Sequence, residues 1–316
     1  MKTIDNLALM KRETRPVCLA AGFFDGVHRG HVAILERTVG CARACGGHAW
    51  VLTFDTHPMK VLRPATAPML LTSNGHKLAL LESAGIDGCL MLRFNRSLAG
   101  LEPGRFIDLL CSSAPSLREI VVGSNWRFGR RGSGDPSLLA SLAVKRNVSV
   151  SVVKPVIWRQ EPVSSTRIRQ CVTSGRLCDA EAMLGRPFSI LGTVRKGRAV
   201  GRTLGFPTAN IDPQNEARPP CGVYAVLASF GGSTRNGVLN IGTRPTLGGL
   251  PGGPVVIELH LPGFAGTLYG REVEVSFVRK LRNERRFAST AMLAFQIAND
   301  VRAALSVLHK HMNKKL

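Results

Sequence analysis

Short apolar runs alternate with helix-period segments through the first half of the chain. Residues 17–21, 48–54, 88–94, 119–123 and 148–153 have the length and the aliphatic content of buried strands. Between them, residues 31–45, 77–84, 103–111 and 138–145 carry the apolar spacing of helix faces. This alternation predicts an α/β domain, a mostly parallel sheet covered on both faces. Ligands in such sheets bind beyond the carboxyl ends of the strands. After Thr166 the rhythm changes. Residues 167–171 and 179–184 read as short helical pieces ending at Gly185-Arg186-Pro187, which places one domain over 1–186 and a second over 187–316. From Phe188 onward, short runs at 189–194, 223–230, 237–241, 255–261 and 273–278 are separated by Gly and Pro, the mark of a small barrel or sandwich. A helix from about residue 289 closes the chain, with Leu293, Ile297, Ala304 and Leu308 on or near one face.

Composition adds bounds to this picture. The 316 residues, 44% hydrophobic and 20% charged, suffice for two well-filled cores. No run of about 18 apolar residues occurs, so no membrane-spanning helix is expected. Residues 1–15 lack the continuous apolar stretch of a secretory signal. The eight cysteines include no Cys-x-x-Cys pair and read as reduced thiols of a cytoplasmic protein rather than disulfides or zinc ligands. Charge is the unusual number: 42 Lys+Arg, 31 of them Arg, against 21 Asp+Glu give +21. Nucleic acid, a membrane surface and anionic small molecules all fit such a balance. The excess divides evenly, +11 before residue 187 and +10 after it, with no basic tail, which argues against a concentrated nucleic-acid footprint.

The sharpest chemistry lies between the first expected strand and helix, in Gly22-Phe23-Phe24-Asp25-Gly26-Val27-His28-Arg29-Gly30-His31. Glycines there let a ligand approach the backbone, and the helix start presents N–H groups to an anion. His28 and His31 can both face that anion and stabilise charge that develops on a phosphate. A second string, Val163-Ser164-Ser165-Thr166-Arg167-Ile168-Arg169, opens another helix with three hydroxyls and two guanidiniums. The hydroxyls either cap the helix or bind phosphate oxygens beside Arg167.

The two strings resemble the nucleotidylyltransferase superfamily, and their context resembles the bacterial bifunctional riboflavin kinase/FMN adenylyltransferase family. The same resemblance covers Thr53-Phe54-Asp55-Thr56-His57-Pro58, the segment from Val121 to Gly129, and Leu184-Gly185-Arg186-Pro187-Phe188. It implies a Rossmann-like adenylyltransferase domain followed by a riboflavin-kinase barrel and helix. ATP would be the co-substrate of both, with Mg²⁺ bridging its phosphates, and riboflavin, FMN and FAD would be substrates and products. It also implies that small molecules, rather than nucleic acid or a membrane, are the partners. By the same resemblance His28, His31 and Asn125 would act on the reacting phosphates. Gly22, Phe24, Asp25, Gly26, Gly30, Ser164, Ser165, Thr166 and Arg167 would shape the nucleotide site. Phe54, His57, Pro58, Arg127 and Phe128 would meet the flavin. The family commonly shows Glu-Pro-His where this chain has Asp55-Thr56-His57.

In the second half, residues 192–202 are glycine-punctuated and cationic, either ordinary turns or a loop over phosphates carrying Gly197 and Arg202. They run into Thr203-Leu204-Gly205-Phe206-Pro207-Thr208-Ala209-Asn210, which resembles the metal-binding element of riboflavin kinases and points to Thr208 and Asn210 as metal ligands. Glu258 is the candidate general base for the riboflavin hydroxyl. Asn240, Arg279 and Arg282 are candidates for flavin contact by the same resemblance. After His260 the family usually carries acidic residues, whereas this chain has Pro262-Gly263-Phe264-Ala265-Gly266-Thr267. Retention of one activity, or a basic nucleic-acid-binding module on the same scaffold, stand as alternatives at this point.

Overall fold

A computed structural model describes residues 1–196, 205–243 and 255–313. The chain packs into two compact units, one of residues 1–70 and 74–165, the other of residues 71–73 and 166–316.

In the first unit the chain runs β1 (Lys2–Ile4), β2 (Val17–Ala21), α1 (Arg29–Ala44), β3 (His48–Phe54), α2 (Pro58–Leu62), α3 (Asn74–Ser83), β4 (Gly88–Leu92), α4 (Arg96–Ala99), α5 (Pro103–Ser113), β5 (Leu117–Gly123), α6 (Pro136–Val144) and β6 (Ser149–Val153). A two-stranded ribbon, β7 (Ile157–Trp158) with β8 (Glu161–Pro162), follows. The six main strands form one parallel sheet in the order β1-β4-β3-β2-β5-β6.

Alternation along each strand explains why both faces are covered. Val17, Leu19 and Ala21 of β2, with Trp50 and Leu52 of β3, point to one face, where Phe106, Ile107 and Leu110 of α5 and Leu139 of α6 meet them. Cys18, Ala20, Ala49 and Val51 point to the other, against Ile34, Leu35 and Val39 of α1 and Leu81 of α3. Each fully buried Leu here contributes about 1.5–3 kcal/mol. The edge strand β1 is too short and too polar for its pattern to announce it.

One cysteine expectation is corrected. Cys18 and Cys41 form a disulfide, with their Cα atoms 6.2 Å apart, while the other six cysteines are free. The docking of α1 on β2 brings together residues 23 positions apart, which spacing alone does not reveal.

In the second unit α7 (Ser165–Thr173) and α8 (Leu177–Leu184) precede six antiparallel strands: β9 (Ser189–Arg195), β10 (Thr208–Pro213), β11 (Gly222–Phe230), β12 (Ser233–Thr243), β13 (Val255–His260) and β14 (Glu272–Arg282). They close into a barrel in the order β10-β13-β12-β11-β14-β9. Compact packing divides the chain after Ser165, so that α7 and α8 go with the barrel. The reason is packing: α8 lies on β14, Arg186 is drawn toward Glu274 of β14, and Gly175 abuts Pro220. Ile190, Ile211, Tyr224, Leu239, Leu259 and Phe277 fill the barrel interior.

The chain ends in α9 (Thr290–Asn313), whose Ala304 and Leu308 pack with Val223, Ala225 and Val238 from the outward faces of β11 and β12. Residues 290–311 are long and apolar enough to cross a membrane by length and mean hydropathy alone, although Gln296, Asn299, Asp300 and Arg302 interrupt the apolar run. Their buried stripe is satisfied by the barrel instead.

Candidate functional site

The sheet order puts β5 beside β2 although β3 and β4 lie between them in the chain. Loops leaving these two neighbours therefore run to opposite sides and open a crevice at their carboxyl ends. The Gly22–Gly30 loop occupies that crevice. Three consecutive constraints shape it. The Gly22 N–H donates to the Leu52 carbonyl at 3.1 Å. Phe24 (φ 58°), Gly26 (φ 80°) and Val27 (φ 38°) are left-handed, unusual for a bulky and a β-branched residue. Such strain gathers at functional sites, where surrounding contacts enforce it. Here Phe24 and Val27 are anchored in the core at 1% and 3% exposure. The Phe24 side chain thus supports the loop from beneath, and only its backbone can face a ligand.

His28 is the N-cap of α1, accepting at Nδ1 from the His31 N–H at 3.3 Å. A neutral imidazole accepting at Nδ1 carries its proton on Nε2. His31 stacks on His28 with ring centroids 3.6 Å apart and an interplanar angle of 15°. The ring of Phe24 supports His31 edge-on at 5.1 Å. Gly30 makes this stack possible, because a Cβ there would sit 3.1 Å from His28 Cε1. Asp25 is buried, and its carbonyl accepts at 2.9 Å from the hydroxyl of Ser165, the last residue of the first unit. Val163 lies under Gly30, and Ser164 is half-buried. Thr166 and Arg167 pack with the second unit. Asn125 is exposed just past β5, its Oδ1 close over Gly123.

A cavity of about 830 Å³ opens beside this crevice, walled by Phe54, Pro58, Phe94, Trp126, Arg127 and Phe128. Trp126 and Phe128 stack at 4.6 Å, and Phe54 meets Phe94 edge-on at 5.2 Å, so the walls are flat and aromatic. Arg63, Arg96, Arg127, Arg130 and Arg131 surround them. His57 does not wall this cavity. It caps α2 through Met59 N–H and packs on Phe23 at 4.7 Å.

Sequence reasoning missed Lys77 of α3. Its ammonium is buried and donates to Phe54 O at 2.9 Å, and to Phe23 O and Thr53 Oγ1 at 3.4 Å each. Burial lowers its pKa to about 8, against the opposing pull of Cys89, Asp25 and Asp55. Within residues 77–84 this lysine looks like the solvated side of an amphipathic helix, and no local signal marks it.

The second unit builds its site on the outward face of the barrel. Asn210 of β10, Glu258 of β13 and Asn240 of β12 stand directly opposite one another across three strands. Residues opposite one another on neighbouring strands share a face, so these three side chains form one polar row. Val223 of β11 and Arg282 of β14 extend the same row. A cavity of about 350 Å³ lies over it, lined by Thr208, Asn240, Glu258 and Arg282 and roofed by Leu293 and Ile297 of α9. A second cavity, about 530 Å³, opens toward residues 264–269. Among the described residues Thr208 alone lines both. His260 is held by Pro207 O at 2.8 Å. Arg282 is gripped by Asp300 of α9, Nε to Oδ1 at 2.9 Å and Nη2 to Oδ2 at 2.7 Å. Arg279 is exposed and does not line the cavity, because it occupies a different row of β14, opposite Ala225. Gly197 and Arg202 lie outside the described residues. Asp300 was also missed: as an acid within an apolar helix it has no sequence partner in sight.

Known proteins resemble this chain in both units. The FAD synthetase family matches residues 10–167 and the riboflavin kinase family matches residues 184–308. A protein of Escherichia coli strain K12 named bifunctional riboflavin kinase/FMN adenylyltransferase is 37% identical over 302 residues, 95% of this chain and 96% of its own length. Proteins of the same name from Pseudomonas fluorescens and Bacillus subtilis are 37% and 32% identical, over 96% and 94% of this chain and 97% and 94% of their own lengths. A solved structure from Streptococcus pneumoniae, described as a macrolide-efflux protein, superposes with a TM-score of 0.81 at 26% identity, over 96% of this chain and 99% of its own.

Proposed function

Since the chain belongs to the bifunctional riboflavin kinase/FMN adenylyltransferase family, we propose that its second unit phosphorylates riboflavin to FMN and its first unit adenylylates FMN to FAD. In the first step the ribityl 5′-hydroxyl attacks the γ-phosphorus of ATP, its proton is removed, and ADP leaves. In the second, a phosphate oxygen of FMN attacks the α-phosphorus of ATP, and pyrophosphate leaves.

The observation that carries the kinase reading is the polar row with Thr208 at its edge. A flavin in the smaller cavity and a nucleotide in the larger would meet at Thr208, beside Glu258. Glu258 would accept the hydroxyl proton, a role worth about 10²–10⁴-fold in rate. Asn240 and Arg282 would orient the flavin. The donor set suits Mg²⁺: Thr208 and Asn210 are hard oxygen donors on one face of β10, and no group of three His, Cys, Asp or Glu exists among the described residues. Such a sparse set fits an ion held jointly by protein and phosphate oxygens. When bound, Mg²⁺ would neutralise charge on the transferring phosphate.

In the first unit the nucleophile is already an anion, so positioning and charge stabilisation carry the step. The aromatic, arginine-rimmed cavity would hold the flavin of FMN and attract its phosphate. His28 and His31 would meet the α-phosphate and leaving pyrophosphate at the start of α1, with Asn125 at the junction and Ser164 and Ser165 on the triphosphate. Both reactions consume ATP, which supports a cytoplasmic location.

Purified protein with riboflavin, ATP and Mg²⁺ should yield FMN and then FAD by chromatography. A His28→Ala/His31→Ala variant should stop at FMN. Glu258→Ala should fail on riboflavin yet convert supplied FMN to FAD. Absence of both products from the native chain, or the opposite partition, refutes the reading.

A further inference from the structure

We infer that Lys77 is a positioning residue for adenylyl transfer, holding the loop after β2 and the end of β3 in one fixed arrangement. The inference rests on the function proposed for the first unit. Two loops must agree there: the one bearing His28 and His31, and the one bearing Phe54, His57 and Pro58. The Gly22 N–H reaches across to Leu52 O at 3.1 Å. Beyond that point the side chains of Thr53 and Lys77 join them, and Lys77 is the one that bonds to both.

Its three protons meet three acceptors. Phe54 O belongs to the flavin-side loop, Phe23 O to the phosphate-side loop, and Thr53 Oγ1 lies between them. Thr53 spends its own proton on Phe23 O at 2.9 Å, so it can only accept from the lysine. The ammonium also lies over the Phe23 ring at 4.5 Å, and the same ring carries His57 on its edge. Phe23 is thereby fixed at its carbonyl and its ring, between the two substrate loops. Moving either loop by an ångström would break this bond set, and misplacement of that size costs about 10²-fold in rate.

Protonation matters to the arrangement. A neutral amine has two protons for the three acceptors, and its lone pair would face an oxygen. The titratable groups that face Lys77 are Asp25 from the loop after β2, Asp55 from the loop after β3 and Cys89 of β4. Cys89 is raised to about 11 by burial, so its thiol is neutral where Lys77, at about 8, loses its proton. The sign for stability is opposite to that for activity. Between about pH 8 and 10.5 the unfolded lysine holds a proton that the folded one has released, so folding strengthens as pH rises. Adenylyl transfer should weaken over the same interval. A residue with a purely structural role would move both together.

The experiment measures FMN adenylylation and thermal unfolding of the full chain from pH 6.5 to 9.5, for the native protein and for Lys77→Met. The native kcat should fall with a midpoint near the lysine pKa of about 8 while the unfolding temperature does not fall. In Lys77→Met kcat should drop about 10²-fold with KM for FMN and ATP within about twofold, and the alkaline fall should vanish. Riboflavin phosphorylation by the same variant should be unchanged. A variant kcat within twofold of native, superimposable pH profiles, or a loss confined to KM would overturn the assignment. Should Lys77→Met fail to fold, the opposed pH trends of the native chain still decide it. A native chain that makes no FAD from FMN would instead fault the function proposed for the unit.

Discussion

Removing the Asp300 carboxylate should cost far more than any surface ion pair in this protein. The Asp300 and Arg282 side chains are 6% and 14% exposed, joined by contacts of 2.7, 2.9 and 3.1 Å, with Gln296 adding a fourth bond to Asp300 at 2.9 Å. Asp300→Ala leaves a guanidinium buried without its counter-charge, a loss of about 3–5 kcal/mol. For a unit of this size that corresponds to roughly 6–20 °C in unfolding temperature. Glu102→Ala is the control: its bond to Arg130 is 58% exposed on both sides and worth at most about 1 kcal/mol. Because Arg282 and Asp300 also line the smaller barrel cavity, Asp300→Ala should raise KM for riboflavin and leave adenylylation of supplied FMN intact. Calorimetric scans of the intact chain with both activities as readouts test this. An unfolding temperature matching that of Glu102→Ala, with KM for riboflavin unchanged, would refute the idea that this pair docks α9 and shapes the cavity.

Two further outcomes follow from the first unit. Gly30→Ala should depress adenylyl transfer while sparing riboflavin phosphorylation, because the added Cβ, 3.1 Å from His28 Cε1 and 3.2 Å from Nδ1, must push the ring off the His31 N–H; equal FAD yields from variant and native chains would contradict it. Thiol titration of the denatured, unreduced protein should count six free cysteines and eight after reduction, with the Cys18–Cys41 bond as the difference. A count of eight without reductant would show that this pair is not oxidised in solution.

Local patterns reached far in this chain where one interaction range suffices. The strands at Val17–Ala21 and His48–Phe54 are legible because a strand buried on both faces must be apolar throughout. Histidine, glycine and hydroxyl strings are legible because groups able to meet an anion at a helix start can lie in immediate succession along the chain. The barrel strand Thr208–Pro213 is hard to read for another reason: Thr208, Asn210 and Asp212 do alternate with Ala209 and Ile211, but the run is short, holds one large apolar residue and is bounded by Pro207 and Pro213.

By itself the sequence determined the class of each half, the position of the phosphate strings and the family resemblance, since all of these are encoded in neighbouring residues. Tertiary structure alone decided which distant residues meet. Sheet order put β2 beside β5 and so made the Gly22–Gly30 loop a crevice. Barrel register set Asn210, Glu258 and Asn240 in one row, although nearly fifty residues separate the first two. Burial turned Lys77 and Asp300 from ordinary helix charges into the ties that hold loops and helix at the two sites. The physical reason is common to all three. A buried charge or a cross-strand neighbour takes its meaning from its surroundings in space, and those surroundings come from segments that the local sequence does not contain.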